Sequence, residues 1–89
     1  MEVTVNLDNL RVISLGKNHY VIKSDGARIF QSYDSIIAVK EGRMVVLDKD
    51  KWDYSRTTGK YRNKFLDENK ATTEKKIETG EYYLADLNK

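Results

Sequence analysis

The sequence has 89 residues, with a formal net charge of +2, 34% charged residues and no cysteine. This length predicts one domain, because a core divided in two would not offset the conformational entropy of so short a chain. The absence of cysteine excludes disulfide frameworks, thiolate metal sites and thiol nucleophiles, and it fits a reducing compartment. No apolar run is longer than four residues, the length of Ile36–Val39, against about 18 for a membrane span, and the acidic, alternating start does not resemble a signal peptide. We therefore expect a soluble cytoplasmic protein without a membrane partner.

Short strands separated by turns are predicted over the first half of the chain. Ser24-Asp25-Gly26 contains an Asp-Gly pair, which strongly favours a hairpin turn, and Gly16-Lys17-Asn18 and Glu41-Gly42 are further turn candidates. The spacing of roughly 8–10 residues between turns predicts an antiparallel meander. The predicted strands are Val3–Asn6, Leu10–Leu15, His19–Lys23, Arg28–Ser32, Ser35–Lys40 and Arg43–Asp48.

A main helix is predicted beyond Asp50, where the apolar period changes from that of a strand to that of a helix. It would begin at Ser55 or Thr57, whose hydroxyl groups suit an N-cap, and end at about Glu68. Gly59 weakens the first turn by about 1 kcal/mol relative to alanine. The helix could therefore begin nearer Lys60.

The C-terminal part predicts a second helical turn and a last strand. The helical turn would run from Thr72 or Thr73 to Glu78, with Gly80 as its left-handed cap. Alternation over Glu81–Leu87 then predicts a strand. The predicted fold class is α+β: a twisted antiparallel sheet of five to six short strands, one main helix packed across it, and a C-terminal strand.

Candidate catalytic and metal-binding residues are few. His19 is the single histidine, and no nucleophile motif accompanies it, so we interpret it as a structural or exposed residue rather than a catalyst. Asp48, Asp50 and Asp53 resemble the opening of a calcium loop, but the glycine and the closing glutamate are missing at their required positions. The sequence thus predicts neither an enzyme nor a metal or cofactor site, and these aspartates are interpreted as a solvated turn.

A candidate anion site lies at the predicted N-terminus of the main helix, where backbone N–H groups and the helix dipole favour negative charge. Its residues are Ser55, Thr57 and Thr58, followed by Gly59 and Lys60. The segment is not a phosphate-binding loop of the Walker type, because the first glycine is missing and tyrosine replaces the final hydroxyl residue. Helix capping is the favoured interpretation and binding of a phosphate-bearing ligand is the alternative.

A basic stripe is predicted on the same helix. Arg56, Lys60 and Lys64 recur every four residues and so lie on one side of the helix, where like charges oppose each other without an acid between them. The stripe suits an acidic partner, either a protein surface or a nucleic-acid backbone. The alternative is an ordinary solvated face, with the nearby aromatic residues anchoring the helix to the sheet. A nucleic-acid interface would use Arg56, Lys60, Arg62 and Lys64 on phosphates and Trp52 or Tyr54 on bases.

One pattern extends beyond single elements: a Ser-Tyr start, a two-strand hairpin, W-D-Y-S-x-T-T-x-K-Y, and a Phe-Leu close. It resembles a family of small uncharacterised proteins of bacteriophages and mobile elements. The resemblance implies an accessory protein without enzymatic activity, which binds a host protein in the host cytoplasm and could inhibit a defence system, as anti-CRISPR proteins do. The matching residues are Ser32–Ala38, Met44–Leu47, Trp52–Thr58, Lys60–Arg62 and Phe65-Leu66.

Two functional hypotheses follow. The first is this phage-type protein, bound to a host protein through the basic and aromatic surface, and the second is a small nucleic-acid-binding module. Pairing of edge strands between chains, at Val3–Asn6 or Tyr82–Leu87, would also allow a homodimer, because an unpaired strand edge is a template for another strand.

Overall fold

The computed structural model describes residues 4–7 and 10–89. Within these residues, seven strands form one sheet in sequence order, and two helices lie between the sixth and seventh strands. Val3, which belongs to the first predicted strand, lies outside the described residues. The elements are β1 Thr4–Leu7, β2 Leu10–Gly16, β3 His19–Ser24, β4 Ala27–Ser32, β5 Ser35–Glu41, β6 Met44–Asp48, α1 Arg56–Leu66, α2 Lys70–Glu78 and β7 Tyr83–Ala85.

The predicted α+β meander with a main helix and a C-terminal strand is confirmed. Strands β1 to β6 are antiparallel neighbours, and in the β3–β4 hairpin both Asp25 and Gly26 adopt positive φ angles, as a two-residue hairpin turn requires. Strand β7 is shorter than predicted and runs parallel to β6, with Val46 opposite Tyr83. A parallel neighbour needs a long crossover connection, and α1 and α2 supply it.

The core lies between one face of the sheet and the helices. Val21, Phe30, Ala38 and Leu47 are successive cross-strand partners on this face, and all are buried. Phe65 of α1 packs against this row, with its ring centroid 5.8 Å from that of Phe30. The row and the helix therefore form the buried apolar layer between the sheet and the helices.

Helix α1 begins earlier than Gly59 suggested. The Ser55 side chain accepts a hydrogen bond from the Thr58 backbone N–H at 3.1 Å, so Ser55 is the N-cap and Arg56 the first helical residue. Gly59 is buried in the first turns, and a Cβ added there would lie 3.6 Å from both terminal nitrogens of Arg62. That is an ordinary contact distance, so the guanidinium does not require glycine here, and the Ser55 cap sets the start of the helix despite the low helix propensity of Gly59.

Helix α2 is longer than predicted because Asn69 caps it, accepting a hydrogen bond from the Thr72 N–H at 2.8 Å. A polar network ties this helix to the chain on either side of it. The Glu68 carboxylate accepts hydrogen bonds from the Thr73 hydroxyl at 2.5 Å, the Lys76 ammonium at 2.9 Å and the Tyr82 hydroxyl at 2.8 Å. Burial raises the pKa of Glu68, but these three donors outweigh it and leave the pKa below its usual value.

Candidate functional site

The basic stripe of α1 lies on the surface, as predicted. Arg56, Lys60 and Lys64 are exposed, and none of them forms a salt bridge with any residue that the structure describes. The ammonium groups of Lys60 and Lys64 lie 5.7 and 5.5 Å from the ring centroid of Tyr61, between them in sequence. The face of the tyrosine ring attracts both ammonium groups. Because no described acid pairs with them, their positive charges remain available to a partner.

The prediction that Arg62 contacts a partner is wrong. Its side chain is 1% exposed, and its Nη1 donates to the Trp52 carbonyl at 2.8 Å and to Asp53 Oδ1 at 3.1 Å. Its Nη2 donates to Asn63 Oδ1 at 2.8 Å. Two residues correspond to about 200° around a helix, so Arg62 faces the interior while Lys60 faces solvent.

The two aromatic residues of the predicted interface have different environments. Trp52 is half-buried against the core, and the Arg62 guanidinium lies 5.1 Å from its ring centroid, so it anchors α1 and is poorly placed to stack on a base. Tyr54 is 46% exposed, with its hydroxyl 3.4 Å from Ser32 Oγ. Of the two, Tyr54 is the one available to a partner.

Two residues of the candidate anion site have structural roles, one as a helix cap and one in packing. Ser55 caps α1, which favours the capping interpretation. Thr58 is fully buried, with its hydroxyl 2.8 Å from Ser32 Oγ, so it joins the helix to β4 and the prediction of an anion contact there is wrong. Ser55 and Thr57 are exposed, so these two of the three hydroxyl residues reach the surface and Thr58 does not.

An open cleft of about 680 Å³ lies beside the first turns of α1. It is lined by Arg56, Lys60 and Lys70, but also by the Asp53 carboxylate, which Lys70 contacts at 2.7 Å and Arg62 at 3.1 Å. Burial raises the pKa of Asp53, but these hydrogen bonds and positive charges outweigh it and lower the pKa. The carboxylate therefore stays ionised at neutral pH, and the cations left unpaired in the cleft are Arg56 and Lys60.

A second set of cations crosses the sheet, and the sequence analysis missed it. Arg11, Lys23, Arg28 and Lys40 are direct cross-strand partners on the neighbouring strands β2 to β5. Adjacent strands lie about 4.8 Å apart, and like charges placed directly opposite destabilise a sheet. Lys23, Arg28 and Lys40 form no salt bridge with another described residue. We call these four residues the cationic row.

The α1 stripe and the cationic row meet at a shallow groove of about 200 Å³. Lys64 of the stripe and Lys23 and Arg28 of the row line it. Its remaining lining residues are apolar: Ile13, Leu15, Val21 and Phe65. The stripe, the row and the groove together form one surface, hereafter the cationic surface, on which positive charge surrounds an apolar floor.

Two of the residues considered for catalysis or metal binding, His19 and Asp48, make structural contacts. His19 is buried, its ring stacks on Tyr61 at 4.4 Å, and its Nδ1 lies 2.7 Å from the Lys17 carbonyl. Asp48 is 2% exposed and accepts hydrogen bonds from the backbone N–H groups of Asp50, Lys51 and Leu87. The interpretation of Asp48 as part of a solvated turn is therefore wrong, because it organises the turn after β6.

Residues 4–7 and 10–89 contain no group of three or more histidine, cysteine or acidic side chains arranged to hold a metal ion. Neither α1 nor α2, the helices that the structure describes, has the length and apolar character to cross a membrane.

Comparison with known proteins gives one match. The model of a family of unknown function, DUF8033, matches residues 2–81. No curated protein matches the chain, and no solved structure matches it.

Proposed function

The chain belongs to this family of unknown function, and we propose that it is a non-enzymatic accessory protein of phage type that binds an acidic surface of a host protein in the host cytoplasm. A component of a host defence system is the proposed target. The observation that carries the proposal is the cationic surface, on which a helical stripe and a cross-strand row of cations converge on one apolar groove.

The arrangement of charge supports a binding role better than the net charge does. The chain carries only +2, yet the cationic surface gathers several cations that form no salt bridge with a described residue, among them Lys23, Arg28 and Lys64. Arg28 lies directly opposite Lys23 on one neighbouring strand and Lys40 on the other. Repulsion between these like charges lowers the stability of the sheet. An acidic partner would remove that repulsion on binding and would be steered to this side by the field.

The apolar floor of the groove favours a protein partner. Ile13, Leu15 and Val21 present aliphatic side chains between the cations, and such a floor accepts an apolar side chain of a partner whose flanking acids pair with Lys23 and Lys64. Protein interfaces combine an apolar centre with a polar rim in this way. Bases of single-stranded nucleic acids instead need exposed aromatic faces, and Trp52 is covered by Arg62.

Binding of nucleic acid is the second candidate, and the cationic row favours it. Lys23, Arg28 and Lys40 on neighbouring strands could contact a phosphate backbone without reading its sequence. Its affinity would then fall with salt by a log–log slope of about 0.9 for each phosphate contact with a duplex.

Charge reversal on the cationic surface tests the proposal. We expect that tagged wild-type protein captures a specific partner from host lysate, and that a variant combining Lys60→Glu and Lys64→Glu loses it. The matched control combines Lys49→Glu and Lys75→Glu, two exposed lysines away from the surface, and carries the same change in charge. If the Lys60→Glu, Lys64→Glu variant captured the partner as well as the control variant does, the cationic surface would not be the binding site.

A mobility-shift assay with single-stranded and duplex oligonucleotides separates the two candidates. The protein-binding proposal expects no shift at physiological salt. A shift at that salt that the Lys60→Glu, Lys64→Glu variant abolishes would replace the proposed function with nucleic-acid binding.

A further inference from the structure

The sheet face opposite the helices carries an apolar row of its own. Val12, Ile22, Ile29, Val39 and Val46 are successive cross-strand partners from β2 to β6, and Tyr83 of β7 continues the row. Successive residues of a strand point to opposite faces, so this row is back to back with the buried row of Val21 to Leu47. The five aliphatic residues are half-buried and Tyr83 is exposed. An antiparallel sheet with one face in water normally carries polar residues there.

This face is also almost free of charge. On either side of the apolar row, the neighbouring positions of β2, β3 and β4 hold uncharged residues. Glu41, at the end of β5, is the one acidic or basic residue among the described residues of the face from β2 to β5. The flanking residues are Leu10, Ser14, Tyr20, Ser24, Ala27 and Gln31. All four members of the cationic row point to the other face, since they lie two positions from the buried row.

Both helices leave this face uncovered. Phe65 and Leu66 of α1 and Ile77 of α2 belong to or pack against the cluster on the opposite face. The uncovered face extends over five strand spacings, about 24 Å, and along the longer strands over three alternate residues, about 14 Å. With the side chains at its margin it offers on the order of 500 Å² per chain, so two such faces together reach the roughly 1,000 Å² that a specific interface needs.

We propose that this neutral face packs against the same face of a second copy of the chain, giving a symmetric dimer with two sheets face to face. A second copy is the occupant that fits, because a flat row of β-branched residues complements itself when two twisted sheets stack at about −30°. An acidic partner would gain nothing from a face without cations. The interface differs from edge-strand pairing, since it uses side chains of central strands and leaves both sheet edges free.

The dimer has a consequence for the cationic surface. Stacking the neutral faces directs the two cationic surfaces outward on opposite sides, so one dimer would present two equivalent sites. The proposal stands without the proposed function, because it depends on the neutral face alone.

Sedimentation velocity of the full chain tests the dimer. We expect the mass to rise from 10.4 kDa toward twice that value as the concentration rises to about 100 µM and above, since an interface of about 1,000 Å² is at the small end of the specific range and forms a transient dimer. Ile29→Lys should weaken the dimer Kd about 100-fold or more, because symmetry buries two charges at the centre. Thr57→Lys adds the same charge at an exposed residue on the helical side and should leave the Kd unchanged.

A second variant covers the case in which Ile29→Lys fails to fold. The combination of Ile29→Thr and Val39→Thr keeps β-branched side chains but removes apolar surface, and circular dichroism will establish its folding. We expect it also to weaken the dimer. A wild-type chain that stays monomeric overturns the proposal, and so does a dimer that the folded threonine variant forms with unchanged Kd, which would point to the sheet edges instead.

Discussion

Replacing Arg62 tests whether this buried cation stabilises the fold, as its contacts indicate, and does not serve in binding. The variant Arg62→Met keeps much of the volume but removes three hydrogen bonds of 2.8, 3.1 and 2.8 Å and leaves the Trp52 carbonyl without its donor. Removal of one partner of a buried ion pair costs about 3–5 kcal/mol. Asp53 is 29% exposed and keeps its contact with Lys70, so we expect a smaller loss, about 2–4 kcal/mol of unfolding free energy.

Urea denaturation followed by circular dichroism measures this loss, and fluorescence of the single tryptophan reports the same transition. For a domain of this length the expected loss lowers the Tm by roughly 10–30 °C. Arg56→Met is the control, because Arg56 is exposed on the same helix and its replacement should change stability by less than about 0.5 kcal/mol. If Arg62→Met were as stable as Arg56→Met, the buried network would add no net stability and the argument from burial would fail.

Two further predictions concern stability. Gly16→Ala should destabilise the protein by about 1–3 kcal/mol in urea, because the new Cβ would overlap the Tyr61 hydroxyl; adding Tyr61→Phe should restore part of the loss, and an equal loss in the double variant would contradict the proposed overlap. The second prediction concerns acid pH. Burial raises the pKa of Asp48, but backbone N–H donors outweigh it and lower the pKa, and the pKa of Glu68 is lowered by its own donors. Their contribution to stability is complete above the unfolded pKa of about 4 and is lost as the pH falls through the lower folded values; Asp48→Asn should therefore flatten the fall of the urea midpoint below pH 4, and an unchanged slope would refute this.

The strands and turns could be predicted because their causes are local. Alternation marks each strand, and Asp25-Gly26 supplies the positive φ angles of its turn. The parallel pairing of Val46 with Tyr83 could not be predicted, since it depends on how two helices return the chain. Arg62 was misplaced although its phase was available: it lies four residues after Thr58 and three before Phe65, on the buried side of α1.

The cationic row could not be predicted from the sequence, for a different reason. Arg11, Lys23, Arg28 and Lys40 follow no period along the chain, and they become neighbours only through the pairing of four strands. That pairing includes an irregularity between Phe30 and Gln31, which no turn motif indicates. Register is therefore the information that was missing.

Register also explains why the two faces can serve different partners. A shift of one residue in a strand exchanges its two faces, so Phe30 would leave the core as Arg28 reached the neutral face. The burial of Phe30 thus fixes both surfaces at once, yet they remain separable by mutation. Lys23→Glu with Arg28→Glu should weaken capture of the host partner and leave sedimentation unchanged, whereas Ile29→Lys should weaken the dimer about 100-fold or more and leave partner binding at each site intact. If either change altered both measurements in folded protein, the two faces would not act independently and the separation of roles would have to be abandoned.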